Sequence, residues 1–123
     1  SDVCSSDLMW MPGQGTGYHD HSHSAVGLCG AEGAAIEKQM TLPSGHTEVE
    51  VRPGTRREGP VGYIHSVAHL EGEPAITIHS YSPPLVEVGQ YRADPDGRLT
   101  RTPEHGRREL LDNTIGQIAP EIV

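Results

Sequence analysis

Three histidines at alternate positions have the clearest capacity for chemistry in this chain. His19, His21 and His23 are separated by single residues. Side chains two apart on a β-strand lie on the same face, so the imidazoles of His19 and His21 can converge on one metal ion while Asp20 faces away. Surface histidines exposed to solvent would explain the same spacing. The triplet alone therefore leaves a metal site and a solvated surface as alternatives.

The glycines and prolines near these histidines favour the metal site, because they stand where the chain would have to turn beside it. One set of these residues consists of Gly13, His19, His21 and Gly33, and its spacing resembles the first signature of the cupin superfamily. A second set consists of Gly54, Pro60, Gly62 and His65, and its spacing resembles the second cupin signature, with His69 in place of the usual closing Asn. Two motifs in the right order are more specific than either one. The second motif adds His65 as a third ligand.

His65 and His69 could instead form the zinc-binding pair of a metalloprotease helix, in which two histidines stand four residues apart. Pro60 and Gly62 before them, and Val67 between them, argue for a strand. Four residues of a strand span about 13 Å, too far for two side chains to share an ion. We therefore expect His69 near the rim of the pocket, without a role as a ligand.

The positions that follow the histidine pair contain no carboxylate. Most cupins have a Glu ligand four or five residues after the pair, where this chain has Ala25 and Val26. Three neutral imidazoles leave the full +2 charge on a divalent ion, with open coordination positions for an anionic substrate and for dioxygen.

A later segment predicts a strand that lines a polar cavity. Strict alternation places Thr77, His79 and Tyr81 on one face and the two isoleucines between them on the other. A Tyr and a His on one buried face could be catalytic, but a purely structural polar pair would have the same pattern. Ser82, Pro83 and Pro84 then end the strand, since proline cannot donate to a sheet.

The combination of three segments resembles the cysteine dioxygenase family of thiol dioxygenases. These segments are His19-Asp20-His21, the block from Pro60 to His65, and the run His79-Ser80-Tyr81-Ser82-Pro83-Pro84. The resemblance covers approximately Trp10 to Leu85, and the last run is its specific part. It implies that His19, His21 and His65 bind Fe(II) and that Tyr81 and His79 are catalytic. The implied reaction oxidises the thiol of cysteine to a sulfinic acid with O2.

The chain also departs from this family at two places. Animal members cross-link the Tyr to a Cys that would align with Val26, so that thioether cannot form here. The Arg that binds the substrate carboxylate lies upstream of the histidine pair in the family, and Arg52, Arg56 and Arg57 are not at that position. Two alternatives therefore stay open: a dioxygenase of another small thiol such as 3-mercaptopropionate, and a non-catalytic metal-binding cupin fragment.

The elements that must position these residues are short strands. The chain has 123 residues, enough for one domain, with 34% apolar residues, 15 Gly, 10 Pro and no Phe. We predict an all-β, cupin-type double-stranded β-helix (jelly-roll barrel) that lacks its N-terminal portion. A hairpin turn is predicted at 94–97, and the segment Arg107 to Asn113 looks helical. The predicted strands are Met9–Trp10, Tyr18–His21, Val26–Cys29, Ala34–Met40, Glu48–Arg52, Tyr63–Ala68, Ala75–Tyr81, Val88–Arg92 and Leu99–Arg101.

Composition and termini limit the remaining possibilities. Residues 1–8 resemble translated sequencing-adaptor sequence, so we expect a non-native leader, a cupin domain at 9–103 and a C-terminal tail at 104–123. The net charge of −8 argues against nucleic acid and anionic lipid as partners. Two cysteines and the lack of a signal-peptide pattern predict a cytoplasmic protein. We expect a monomer whose partners are a small thiol and O2.

Overall fold

The computed structural model describes residues 4–41 and 45–105, and these residues form an all-β fold, as predicted. They contain no helix, so none in this part of the chain is long and apolar enough to cross a membrane. The segment Arg107 to Asn113, for which a helix was expected, lies outside the described residues. The eight strands are β1 (Cys4–Trp10), β2 (His19–Asp20), β3 (Ala25–Met40), β4 (His46–Val51), β5 (Arg56–Gly59), β6 (His65–Ser82), β7 (Glu87–Ala93) and β8 (Leu99–His105).

Two long antiparallel strands, β3 and β6, form the centre of the sheet. We expected each of them as two shorter strands separated by a turn, and this was wrong. The pairing register shifts between Gly30 and Ala35, so the ladder contains bulges that bend the strands without reversing the chain. Gly33 lies at this bend with a φ of 66°, and a Cβ atom there would clash with the backbone of Pro74. A glycine that bends a strand and a glycine that ends one look alike in sequence.

The other strands pair around these two. The hydrogen-bonded order is β4-β3-β6-β2-β7-β8, while β1 pairs with β6 and β5 pairs with β3. The hairpin between β7 and β8 forms where the sequence predicts it, closed by the Gly97 amide donating to the Asp94 carbonyl oxygen at 2.9 Å. The two-residue strand β2 lies between β6 and β7 and joins this hairpin to the rest of the sheet.

The first strand is longer than the two residues Met9–Trp10 that we predicted. It begins at Cys4, opposite Tyr81, and ends at Trp10, opposite Ala75. Leu8 and Trp10 are both buried, while Met9 between them is exposed. Residues 4–8 are therefore part of the sheet, although we had set them apart from the domain. That residues 1–8 are a non-native leader stays a prediction, which a complete genomic reading frame would test.

The apolar core of the described residues consists of two small clusters. One contains Leu8, Trp10, Leu28, Ala35, Val51, Val67 and Ala75. The other contains Val26, Tyr63, Tyr81, Leu85 and Val88. These side chains come mainly from alternate positions of β1, β3 and β6, as expected for strands with one buried face.

Candidate metal centre

The structure brings His19, His21 and His65 together in the interior. One potential ligand atom of each residue lies within 4.8 Å of those of the other two. All three side chains are buried, and their ring centroids are 4.7–5.0 Å apart. The short strand β2 explains this convergence, because His19 pairs directly with His65, the first residue of β6. His23, by contrast, is exposed and lies outside the group.

Hydrogen bonds fix the orientation of two of these rings. Nδ1 of His19 lies 2.8 Å from the carbonyl oxygen of Gly17, and Nδ1 of His65 lies 2.7 Å from a carboxylate oxygen of Glu37. Each of these partners can only accept, so Nδ1 of each ring carries the proton. The lone pair of each ring is then on Nε2, where it is available to a metal ion.

Glu37 is a buried carboxylate that the sequence analysis missed. It projects from β3 and accepts hydrogen bonds from His65, from Arg57 at 2.9 Å and from the Tyr63 hydroxyl at 3.1 Å. Burial alone would raise the pKa of Glu37, but these hydrogen bonds outweigh it and lower the pKa to about 2. Ala35 and Glu37 are two residues apart on β3, and both are buried. A charged residue at such an inward position of a strand needs partners, so this alternation is the sequence signal that could have identified Glu37.

The donor set fits a divalent transition metal. Within the described part of the chain, the group contains three imidazoles and no carboxylate. Imidazole nitrogen suits iron, zinc, copper and nickel, and a carboxylate behind a ligating histidine is the usual support for its orientation. His19, His21 and His65 would hold the ion, and fewer than four protein ligands would leave positions for other molecules.

A second buried polar group lies beside the histidines. Thr77, His79 and Tyr81 share the inward face of β6, as the alternation predicted, and each is at most 1% exposed. The Tyr81 ring centroid lies 5.3 Å from that of His21 and 6.4 Å from that of His79. Tyr81 therefore lies close to one of the three histidines and to His79.

Trp10 completes this polar group, and the sequence analysis did not include it. Its indole nitrogen donates to the Thr77 hydroxyl at 2.8 Å, and that hydroxyl lies 2.8 Å from Nε2 of His79. Because Thr77 already accepts from Trp10, its own proton can be donated to His79. A chain of three side chains from β1 and β6 thus fixes the His79 ring.

Other residues singled out from the sequence are not members of the histidine group. His69 is on β6, as expected, and its Nε2 atom lies 2.9 Å from the carbonyl oxygen of Glu73. Arg57 donates to Glu37 and Arg52 donates to Glu50, so both guanidinium groups are engaged with carboxylates of this chain. Val26, the position aligned with the cross-linking Cys, lies directly opposite Tyr81 in the ladder between β3 and β6.

Comparison with solved structures identifies the fold. An uncharacterized conserved protein with a double-stranded β-helix domain from Klebsiella pneumoniae has a TM-score of 0.59 and 21% identity, covering 67% of this chain and 68% of its own. An oxalate decarboxylase mutant from Bacillus subtilis has a TM-score of 0.65 and 14% identity, covering 73% and 24%. Identities this low concern the fold alone, and they confirm the predicted cupin-type double-stranded β-helix.

Sequence comparison identifies the family. Cysteine dioxygenase type 1 from Homo sapiens and from Pongo abelii are each 33% identical to this chain over 87 residues, which cover 63% of this chain and 44% of theirs. The chain thus spans less than half the length of these curated relatives. Residues 5–94 match the family described as cysteine dioxygenase type I. This match includes both histidine motifs and the polar face of β6, and the chain belongs to the cysteine dioxygenase type I family.

Proposed function

We propose that this protein is an Fe(II)-dependent dioxygenase that oxidises the thiol of cysteine to a sulfinic acid. His19, His21 and His65 are the proposed ligands, and Tyr81 and His79 are the proposed catalytic residues. The observation that carries the proposal is the convergence of three buried imidazoles within 4.8 Å, beside a buried tyrosine. Family membership supports the reaction class.

The residues around the site would favour an anionic substrate. Three neutral imidazoles add no negative charge to a divalent ion, and the Glu37 carboxylate is balanced by the Arg57 guanidinium. Ferrous iron bound here would favour the deprotonated thiol and supply the redox chemistry of dioxygen. The overall reaction balances without an external reductant, because RSH and O2 give RSO2H and both oxygen atoms pass to sulfur.

Tyr81 would donate a hydrogen bond to the reacting oxygen or to the thiol substrate and so determine where a proton is held during the reaction. Its phenol is a hydrogen-bond donor beside the histidine group, and it can stabilise negative charge that develops on oxygen or on the substrate. Tyr81 also borders an open cavity of about 560 Å³, together with Val26, Gly59 and Pro60, and the lining of this cavity includes none of the three histidines. His79, held by Thr77 and Trp10, would keep the surroundings of the Tyr81 ring polar.

The substrate and the cellular setting are part of the same proposal. Cysteine is the proposed thiol, and 3-mercaptopropionate is the alternative that the test must separate from it. We also propose that the enzyme works as a monomer in the cytoplasm, since a thiol substrate and ferrous iron are both maintained under reducing conditions.

The test is a single-turnover experiment on this chain. The protein is loaded with Fe(II) without oxygen, mixed with cysteine or 3-mercaptopropionate, and then exposed to air. We expect cysteine to gain two oxygen atoms, measured by mass spectrometry of the product. If only 3-mercaptopropionate gains oxygen, that thiol is the substrate. If the protein retains iron but oxidises neither thiol, it is a non-catalytic metal-binding cupin.

The ligand assignment has a matched control on the same strand. We expect His65→Ala to abolish both iron retention and turnover, because it removes one of three ligands. His69→Ala removes an imidazole from β6 that lies outside the group, so iron content and turnover should stay at the parent's values. Equal iron content in the parent and in His65→Ala would show that the metal binds elsewhere.

A further inference from the structure

Asp20 stands between two of the proposed ligands and faces away from them into a second buried network. Its side chain is only 8% exposed. Arg101 binds both of its oxygens, with Nε to Oδ2 and Nη2 to Oδ1 each at 2.9 Å. The Tyr91 hydroxyl donates to Oδ2 at 2.6 Å. A buried carboxylate requires such partners, and a two-pronged pair with arginine fixes its position as well as its charge.

The hairpin of β7 and β8 delivers these partners. Tyr91 and Arg101 are directly opposite each other in its ladder, so both side chains reach the same carboxylate. Gly89, also on β7, donates its amide to Oδ1 of Asp20 at 3.2 Å. A Cβ atom on Gly89 would clash with the guanidinium of Arg101, so the missing side chain leaves the space that the guanidinium occupies.

The turn that follows the histidine pair is held by the same arginine. Ser22 has a φ of 52°, a left-handed backbone conformation that is unfavourable for a residue with a side chain. Its amide donates to Asp20 at 3.0 Å, and its hydroxyl accepts from Arg101 at 2.8 Å and donates to Glu87 at 2.7 Å. Such a conformation persists where several contacts determine it.

We propose that Arg101 is a positioning residue for the metal centre, acting through Asp20 and Ser22. Fixing the carboxylate of Asp20 fixes the rotation of the backbone at that residue, and therefore the directions in which the side chains of His19 and His21 leave the backbone. Glu37 and Arg57 form a comparable pair behind His65. Both buried carboxylates of the described residues are thus paired with an arginine and adjoin a proposed ligand. This inference rests on the metal centre of the proposed function.

The experiment measures Co(II) binding, with affinity and visible absorption bands as readouts that need no turnover. We expect Arg101→Met to weaken Co(II) affinity roughly tenfold and to alter the bands, as changes behind metal ligands do. Arg101→Lys should recover part of the loss, because it retains the charge but not the two-pronged contact. Arg92→Met removes an exposed charge from the same hairpin and should leave both readouts at the parent's values.

A second variant tests the geometry without removing the charge. Gly89→Ala should displace the flexible guanidinium and weaken Co(II) binding, and it should have no further effect in the Arg101→Met background. If both single variants bind Co(II) like the parent while unfolding at a lower temperature, Arg101 is only structural and the inference is wrong. If the parent itself binds no Co(II) at the three histidines, the proposed metal centre fails first and the inference fails with it.

Discussion

Tyr81 is the residue at which the proposed chemistry can be separated from metal binding. Its side chain is fully buried, and Phe would keep the ring and its packing while removing the hydroxyl. We expect Tyr81→Phe to retain iron and to slow oxidation on the order of 100-fold, the usual scale for a proton-transferring group. Oxygen consumption measured together with sulfinic acid formation gives both the rate and the coupling ratio. If the rate and the coupling ratio of Tyr81→Phe both equal those of the parent, Tyr81 has no catalytic role.

Residues whose roles depend on local spacing could be predicted from the sequence. The shared face of Thr77, His79 and Tyr81 follows from strand alternation, which extends over a few neighbours only. Glu37 and Trp10 could not be predicted in the same way. Glu37 contacts His65 across 28 positions of sequence, and Trp10 contacts Thr77 across 67. Such contacts depend on how strands pair, and local spacing along the sequence does not reveal that pairing.

The ladder between β3 and β5 supports the site through the packing of one aromatic ring. Gly59 pairs with Val26, and the ring of Tyr63 lies against the Gly59 backbone while its hydroxyl donates to Glu37. A Cβ atom at position 59 would overlap this ring near its attachment point, where the side chain cannot move aside. We expect Gly59→Ala to lower the free energy of unfolding by roughly 1–3 kcal/mol, measured by urea denaturation.

The neighbouring position in the same ladder provides the control. In Gly27→Ala the added methyl group would lie 3.5 Å from the nearest atom, the Ser80 hydroxyl oxygen, at an ordinary contact distance. Its free energy of unfolding should stay within about 0.5 kcal/mol of the parent's value. Equal losses in the two variants would show that the cost does not come from the Tyr63 ring.

Strand bounds were less predictable than strand existence. β5 (Arg56–Gly59) was missed because its residues are Arg, Arg, Glu and Gly, which show no apolar alternation. Its pairing with β3 forms it despite this composition. β3 and β6 were each divided in two because glycine punctuates turns and bulges alike. The sequence therefore indicates the fold class and the inward faces, whereas the bends and the polar edge strand depend on tertiary pairing.

Acid stability of the whole molecule should depend on the two buried carboxylates. Burial raises the pKa of Asp20, but hydrogen bonds from Arg101, Tyr91 and Ser22 outweigh it and lower the pKa from 3.8 to about 2. The pKa of Glu37 is lowered from 4.5 to about 2. Because both values are depressed in the folded state, their stabilisation is complete above the unfolded pKa values. It is lost as the pH falls through this range toward about 2.

The prediction can be checked on chelator-treated protein, so that bound metal does not contribute. At neutral pH we expect Asp20→Asn to lower the free energy of unfolding by roughly 1–2 kcal/mol, a moderate value because Arg101 is partly exposed. This deficit should shrink as the pH approaches about 2. Asp96→Asn, in the exposed turn of the hairpin, should follow the parent curve. A constant deficit at every pH would contradict the role of the Asp20 charge.

The position of the two-residue strand β2 would give a bound metal ion a structural role, because this strand links two parts of the sheet. In the order of hydrogen-bonded strands, β7 and β8 connect to the rest of the sheet through β2. An ion bound by His19 on β2 and by His65 on β6 would add a second link between these two strands. By thermodynamic reciprocity, if the packed hairpin of β7 and β8 favours ion binding, the bound ion stabilises the packed hairpin by the same free energy. Loss of the ion would then weaken the attachment of β7 and β8 to the rest of the sheet.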